Sequence, residues 1–149
     1  SETHTIPFIQ GSIVNNTEVS LTLDLNQVES QIDIRNQRMK GLLFETAQFP
    51  TATIQSSLPQ DLPLEQATSI TFDLDLHGIR KTLQVPVIVQ HTDNSKVVTN
   101  FDPIIIHAKD FGLDKGINQL TQVAKLKAIS YEVPVDFKLV FNKIKSTNH

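Results

Sequence analysis

The sequence predicts an all-β domain of antiparallel strands, and three observations carry this prediction. Apolar and polar residues alternate over several segments, turn residues separate those segments, and only two short segments have helical spacing. A period of two places one side of each strand on a core and leaves the other in water, which is typical of antiparallel sheets. The 149 residues have the length of one domain, so we expect residues 1–149 to form a single unit.

Seven segments are predicted as strands. In four of them the apolar residues fall on one face throughout, and these are Val19–Leu25, Ile70–Leu76, Leu83–Val89 and Tyr131–Phe141. Weaker candidates are Thr5–Ile13, Pro50–Leu58 and Lys96–Ala108. Seven antiparallel strands suit a sandwich or a barrel, and periodicity alone does not decide whether a barrel interior is filled or hollow.

The connections agree with this arrangement. Turn residues occur at Asn15-Asn16, at 77–81 around Gly78, where we expect a hairpin, and at 92–95, while 59–67 is a longer loop rich in proline. Helical spacing predicts one helix over Ile34–Phe44, with Asp33 as its N-cap, and another over Leu113–Leu126. The polar tail 143–149 is expected to fray.

Composition and charge exclude several classes of function. The hydrophobic content of 39% and the charged content of 19% are ordinary for a folded domain. A net charge of -3 provides no positive field for a phosphate backbone, so nucleic acid is not an expected partner. The absence of cysteine excludes disulfides, thiolate catalysis and cysteine-ligated zinc, and no apolar run is long enough for a transmembrane helix.

No group of residues points to catalysis or to a metal. The five histidines lack ligand spacing, so we interpret them as surface or turn residues. Asp73 and Asp75 lie on the polar face of a strand, where solvated carboxylates are the better interpretation than an acid–base pair. In the run Asp110-Phe111-Gly112 the aspartate can cap a turn, the phenylalanine can fill a core and the glycine can take a positive φ. We therefore predict no enzyme, no metal and no cofactor.

The segment IDIRNQRMKGLLFETAQFP interrupts the strand pattern. Arg35 and Arg38 could hold an anionic head group, but the favoured interpretation is that they brace a loop or face solvent. If the sheet closes into a barrel, the apolar residues that follow them are expected to form a short helix and a loop over one end of it, with Leu42, Phe44 and Phe49 pointing inward.

The stretch NQVESQIDIRNQRMKGLLFETAQFPTATI resembles the middle motif of the YceI-like, polyisoprenoid-binding family. The matching positions are Gln27 to Ser30, Arg35-Asn36, Met39, Leu43-Phe44 and Phe49-Pro50. FDLDLHGIRKTLQVPV is similar to the family's hairpin, and IIIHAKDFGL is similar to its late Asp-Phe-Gly motif. The three motifs occur in the family's order and together span about Phe8 to Phe141.

The resemblance implies a lipocalin-like antiparallel β-barrel of about seven to eight strands with one or two short helices. It also implies an isoprenoid lipid, such as a quinone or a polyprenyl chain, inside an apolar pore, export to the periplasm or secretion, and no catalysis. Two departures stand out. We expect the family's additional N-terminal strand to be missing from this chain, and Arg35-Asn36 stands where the family has Arg-Asp.

We therefore hypothesise that the chain binds and transports or sequesters an isoprenoid-type lipid. The expected ligand-binding residues are inward-facing and apolar: Leu23, Leu25, Met39, Leu42, Phe44, Phe49, Phe72, Leu74, Val87, Phe101 and Phe137. The alternative is a stress-related scaffold or protein-interaction module with a filled interior. A barrel that lacks one strand exposes two sheet edges, so a homodimer could form through an open edge.

Overall fold

A computed structural model of the chain describes residue 6 and residues 8–14, 17–59, 61–124 and 131–142. These ranges contain nine strands and two α-helices. The strands are β1 (Phe8–Val14), β2 (Glu18–Asp24), β3 (Thr51–Ser57), β4 (Thr68–Leu76), β5 (Ile79–His91), β6 (Ser95–Asn100), β7 (Ile104–His107), β8 (Glu132–Val135) and β9 (Lys138–Asn142). The helices are α1 (Asp33–Arg38) and α2 (Asp114–Val123).

Seven strands form one antiparallel sheet in the order β1-β2-β3-β4-β5-β6-β9. The sheet curls into a half-barrel, and β7 and β8 form a separate two-stranded ribbon. The predicted lipocalin-like antiparallel fold with short helices is confirmed in this half-barrel form.

Two predicted strands are each broken in two, which is why seven predicted segments become nine strands. Lys96–Ala108 divides into β6 and β7, and Tyr131–Phe141 divides into β8 and β9. One cause of the break between β6 and β7 lies in β5. The N–H of Phe101 donates to the carbonyl oxygen of Pro86 at 2.8 Å, but Pro86 has no N–H to return. The β5–β6 ladder ends there, and the chain bends away at 101–103.

The side chain of Asn100 joins the sheet to the ribbon at this break. Its Nδ2 donates to the carbonyl oxygen of Asp102 at 3.0 Å and to Oδ1 of Asp136 at 2.8 Å, and its Oδ1 accepts from the N–H of Phe137 at 2.8 Å. One amide side chain thus replaces the ladder hydrogen bonds that the bend removes.

The predicted hairpin between β4 and β5 is confirmed, although β5 begins at Ile79 rather than at Leu83. His77 and Gly78 form a two-residue turn with φ of 56° and 76°, as a type I′ turn requires. The turn at 92–95 is closed by a hydrogen bond from the N–H of Thr92 to the carbonyl oxygen of Ser95, and 59–67 is a loop as predicted. The predicted turn at Asn15-Asn16, the end of the second helix and the tail lie outside the described residues.

The first helix differs from the prediction in two ways. Ile32, not Asp33, occupies the N-cap position, and Asp33 lies in the first turn. Beyond Arg38 the helix widens into a π-helical turn, Met39–Leu43. The prediction of Asp33 as N-cap is therefore wrong. The carbonyl oxygen of Ile32 accepts the N–H of Asn36, so the helical hydrogen bonds start one residue earlier.

The core is densest along the second half of β5. Val85, Val87 and Val89 are at most 2% exposed, and Leu25 and Phe111 are 1% exposed. Gly112 follows Phe111 with φ of 66°, so the predicted roles of these two residues as core plug and positive-φ turn are confirmed. Asp110 is exposed and is not the cap of this turn.

Candidate ligand-binding site

The concave face of the half-barrel carries most of the predicted ligand-binding residues, but four of them are already buried by other side chains. Leu25, Phe72, Leu74 and Val87 are between 1% and 7% exposed and belong to one packed cluster. Cores of this density leave no room for a ligand beside these residues. The centre of the half-barrel is therefore filled in this structure.

Four further predicted residues lie around this cluster. Leu23, Phe44 and Phe137 are half-buried and pack against it, and Met39 is 6% exposed on the π-helical turn. Half-buried apolar side chains at the border of a core have one side free, and that is the side a ligand can cover.

The covering segment is present, but its inward residues differ from the prediction. Leu43, rather than Leu42, packs against the core together with Phe44. The π-helical turn changes the spacing after Arg38, and that displaces the inward position. Helix α2 closes on this turn through Gly116, where a Cβ would lie 2.6 Å from the carbonyl oxygen of Leu42.

Phe49 packs at the end of the half-barrel and not in its middle. Its ring lies 4.5 Å from the ring of His77 at an angle of 57°, and it covers Gly78, where a Cβ would approach Phe49 to 2.9 Å. His77 also places Nδ1 3.0 Å from the carbonyl oxygen of Phe111 and Nε2 2.7 Å from Oε2 of Glu45. His77 is a turn residue as predicted. Its imidazole connects the β4–β5 turn with Glu45 and Phe49 on one side and with Phe111 on the other, and we call this group of residues the cap.

Phe101 is 58% exposed, so the prediction that it faces the core is wrong. The reason is the bend described above, because Phe101 stands opposite Pro86 where β6 has already left β5. Its exposed ring instead lies where the pairing of β5 with β6 ends.

Beside the first half of β5 (Ile79–Leu83), no strand of the described ranges pairs on the side away from β4, and we call this unpaired stretch, with the apolar residues of β7 that pack on the same core, the slot. Among the described residues, β5 has ladder partners on the β6 side only from Val87 onward, with one more hydrogen bond at Pro86. The half-buried apolar residues that flank the slot are Ile79 and Leu83 on β5 and Ile104 and Ile106 on β7. A slot bordered by such side chains suits an extended apolar chain.

Arg35 and Arg38 are partly exposed on α1, and their role as head-group contact or brace stays a prediction. Asn36, between them, is a brace. Its Oδ1 accepts from the N–H of Ser30 at 2.8 Å and from Oγ of Ser30 at 2.6 Å, and its Nδ2 donates to Glu29. This donation, helped by the N–H of Gln31, holds the pKa of Glu29 below its usual value.

An aspartate could not make the same contacts as Asn36. A carboxylate has no N–H for Glu29 and would place a second negative charge beside it. The amide of Asn36 therefore suits the presence of Glu29 in this chain.

The convex face is polar and solvated, as predicted. Asp73 accepts from the hydroxyl of Thr82 at 2.6 Å and from Arg80 at 3.2 Å, and these contacts hold its pKa below the usual value. Two shallow clefts open to solvent, one of about 550 Å³ across β2 to β4 and one of about 480 Å³ beside the π-helical turn. Most of the residues that line the two clefts are polar, but the first cleft also includes Val19 and Phe72, and neither cleft includes a residue of the slot.

The described part of the chain holds neither a candidate metal site nor a candidate membrane-spanning helix. No group of three or more histidines and carboxylates there is arranged to hold a metal ion. None of the helices in the same ranges is long and apolar enough to cross a bilayer.

The curled antiparallel sheet, the helical cap and the apolar slot together define a lipocalin-like half-barrel. Comparison with known proteins places the chain more narrowly. The profile of the YceI-like domain matches residues 3–141, and the chain therefore belongs to the YceI-like family. None of the curated proteins compared with the chain matches it.

Solved structures give the same placement. The chain is similar to a polyisoprenoid binding domain from Saccharophagus degradans implicated in plant cell wall breakdown, with 35% identity and a TM-score of 0.86 over 95% of this chain and 85% of that one. It is also similar to BcnA of Burkholderia cenocepacia, with 20% identity and a TM-score of 0.68 over 95% and 84% of the two chains. The YCEI protein of Campylobacter jejuni has 10% identity and a TM-score of 0.68 over 96% and 82%. The last two similarities concern the fold alone.

Proposed function

We propose that this protein binds an isoprenoid-type lipid, a polyprenyl chain or the tail of a quinone, and carries or sequesters it without changing it chemically. The observation that carries the proposal is the similarity to a polyisoprenoid binding domain at 35% identity over 95% of the chain. The apolar slot in the wall of the half-barrel supports it, because it offers an extended chain a place that the filled centre does not.

Affinity would come from burying hydrocarbon. Each CH₂ group removed from water contributes about 0.8 kcal/mol, so a chain of several isoprene units can offset the cost of ordering it. The half-buried side chains of Leu83, Ile104 and Ile106 supply the first surface, and Phe101 is placed to cover the chain where it leaves the slot.

The lipid would be found by native mass spectrometry of the purified protein and by organic extraction of the same sample. A polyprenol or quinone that co-purifies, or that the delipidated protein takes up, is the expected result. A protein that is empty and takes up neither would contradict the proposal.

A matched pair of variants tests the place of binding. Leu83→Trp fills the slot, and Gln84→Trp puts the same ring on the convex face one residue away. Lipid uptake should fall in the first variant and persist in the second, while both keep the melting temperature of a folded protein. Equal uptake by both variants would place the lipid elsewhere.

The proposal extends to the compartment, the periplasm or the exterior of the cell. The absence of cysteine is compatible with an oxidising environment. Fractionation of cells that express the full-length gene product tests this, and recovery in the cytosolic fraction would contradict it.

A second candidate function rests on the filled centre. If no lipid binds, the half-barrel would act as an interaction module whose partner, or a second copy of the chain, pairs with a sheet edge. Within the described ranges, β1 and β9 end the sheet and each has a ladder partner on one side. Light scattering over a range of concentrations would show a dimer, and a monomer at all concentrations would contradict the homodimer.

A further inference from the structure

His77 holds the cap together through both nitrogens of its imidazole. Nδ1 lies 3.0 Å from the carbonyl oxygen of Phe111, and Nε2 lies 2.7 Å from Oε2 of Glu45. A carbonyl oxygen and an ionised carboxylate only accept hydrogen bonds, whereas a neutral imidazole has one N–H and one bare nitrogen. Both contacts are therefore hydrogen bonds only while the ring carries two protons and a positive charge.

Glu45 occupies a position at which helices commonly end on glycine. Its φ is 51°, and just beyond it the N–H of Thr46 donates to the carbonyl oxygen of Lys40 at 2.9 Å. This bond closes the end of the π-helical turn, and glycine adopts the left-handed conformation there without strain. A glutamate at this position is strained, and the hydrogen bond from His77 to its side chain offsets that strain.

Residues 44–49, which we call the lid, connect the π-helical turn to β3. Phe44 is half-buried and packs against the core, and the ring of Phe49 lies against the ring of His77. The N–H of Phe49 donates to the carbonyl oxygen of Glu45 at 2.8 Å, which folds the lid back on itself. His77 therefore contacts the lid at both ends of this fold, and the release of Glu45 would loosen it.

Glu45 is the counter-charge of His77 among the described residues. The side chain of His77 is 14% exposed and that of Glu45 is 50% exposed, so the carboxylate meets water as soon as it leaves the imidazole. Other charged residues on the neighbouring elements form no ion pair with either of them in the same part of the chain, and these are Lys40, Asp75, Arg80, Lys109 and Asp110. The contact therefore depends chiefly on the protons of the two partners.

We propose that His77 and Glu45 form a proton-operated latch on the lid. In mild acid the charged imidazole donates to both acceptors, and the lid is held. When the proton at Nε2 leaves for solvent, a bare nitrogen faces the carboxylate, so the hydrogen bond is lost while the strain at Glu45 persists. A free imidazole changes its charge at about pH 6.5, so the latch would open between mildly acidic and mildly alkaline conditions.

Amide exchange of Thr46, Gln48 and Phe49 measures the opening of the lid, because the N–H of each donates a hydrogen bond there. Protection factors of the wild-type protein should fall about fivefold between about pH 5.5 and about pH 8.5, since a charged hydrogen bond is lost. Protection in the second half of β5 should not change. Ring ¹⁵N spectra should show His77 protonated at both nitrogens at the lower pH and at Nδ1 alone at the higher.

Three variants separate the charge, the contact and the strain. His77→Asn removes the imidazole but suits the type I′ turn, in which asparagine before glycine is favoured, so lid protection should be low at both pH values. Glu45→Gln supplies an amide that can accept from a protonated ring or donate to a bare nitrogen, so protection should be high at both. Glu45→Gly removes strain and contact together, so protection should not depend on pH.

His107→Asn is the matched control, because His107 lies 3.8 Å from Glu132 in an exposed pair on the ribbon. Its lid should respond to pH as the wild-type lid does. Three outcomes would overturn the inference: wild-type lid protection that is independent of pH, a response that survives His77→Asn, or a response that disappears in His107→Asn. A change that spreads equally over the lid and β5 would also overturn it, since the whole fold would then be responding. No lipid is present in these measurements, so none of these outcomes decides the proposed function.

Discussion

The two halves of β5 belong to one continuous strand, yet they differ in what covers them. In the second half, Val85, Val87 and Val89 are buried in the core, and the strand pairs with β6 from Val87 onward. In the first half, Ile79–Leu83, the next strand has turned away, and the same face of the strand borders the slot. The difference shows that a proline in one strand and a bend in its neighbour can end the pairing between two strands without interrupting the first strand.

The largest loss of stability is expected when a charged side chain is placed in each half of β5. Val87→Asp buries a carboxylate without a partner and should lower the free energy of unfolding by about 4 kcal/mol. Leu83→Asp, at the border of the slot, should cost roughly half as much because water reaches its carboxylate. Urea denaturation measures the free energy of unfolding of both variants. Equal losses would mean that the two halves are equally closed.

A smaller effect is expected at the joint between sheet and ribbon. Asn100→Ala removes the hydrogen bonds to Asp102, Asp136 and Phe137 and should cost about 2 kcal/mol. Amide exchange should accelerate in β7 and β8 but stay slow in the second half of β5. Uniform acceleration over the whole sheet would show that the ribbon and the core open together.

The stability contributed by the hydrogen bonds among Glu29, Ser30 and Asn36 should depend on pH. Asn36→Asp withdraws the N–H that lowers the pKa of Glu29 and adds a like charge. A carboxylate with a lowered pKa stabilises the fold above its unfolded pKa, and this contribution is lost as the pH falls through the folded pKa. The variant should therefore lose stability at neutral pH, less than Asn100→Ala does, and the loss should shrink in acid.

The second variant of this pair separates charge repulsion from packing. Glu29→Gln combined with Asn36→Asp should recover most of the lost stability, because the amide introduced at position 29 can donate to the new carboxylate. Thermal unfolding at neutral and acidic pH measures both variants. A double variant no more stable than Asn36→Asp would locate the defect at Ser30 instead.

The smallest effect belongs to the convex face. Asp73→Asn keeps an oxygen for the hydroxyl of Thr82 but removes the charge paired with Arg80, and exposed pairs contribute little. Since the pKa of Asp73 is lowered in the folded protein, the variant should be slightly less stable at neutral pH and equal to the wild type in acid. Asp75→Asn on the same face is the control. Lipid uptake should be unchanged in both.

The strands were predictable from sequence because alternation records which face each residue occupies. The breaks between β6 and β7 and between β8 and β9 were not predictable in this way. Val133, Val135, Phe137, Leu139 and Phe141 keep the same phase across the gap between β8 and β9, so the period carries no sign of it. The break depends on Pro86 and on the side chain of Asn100, both distant in sequence from that gap.

The site was predictable only in outline. The apolar concave residues followed from the strand pattern, but which of them are sealed and which border the slot depends on where β6 leaves β5. The shift from Leu42 to Leu43 needed the π-helical turn, which no spacing rule indicated.

The order of strands in the sheet also has a consequence for how the protein folds. From β1 to β6 each strand pairs with the next one along the chain, and the longest connection in this meander is residues 25–50, between β2 and β3. The end of the sheet is different, because β9 pairs with β6 across the longer interval 101–137, to which β7, α2 and β8 belong. Contacts between residues far apart in sequence cost more chain entropy to form. During synthesis the meander can assemble first, and the wall that carries the slot is completed last.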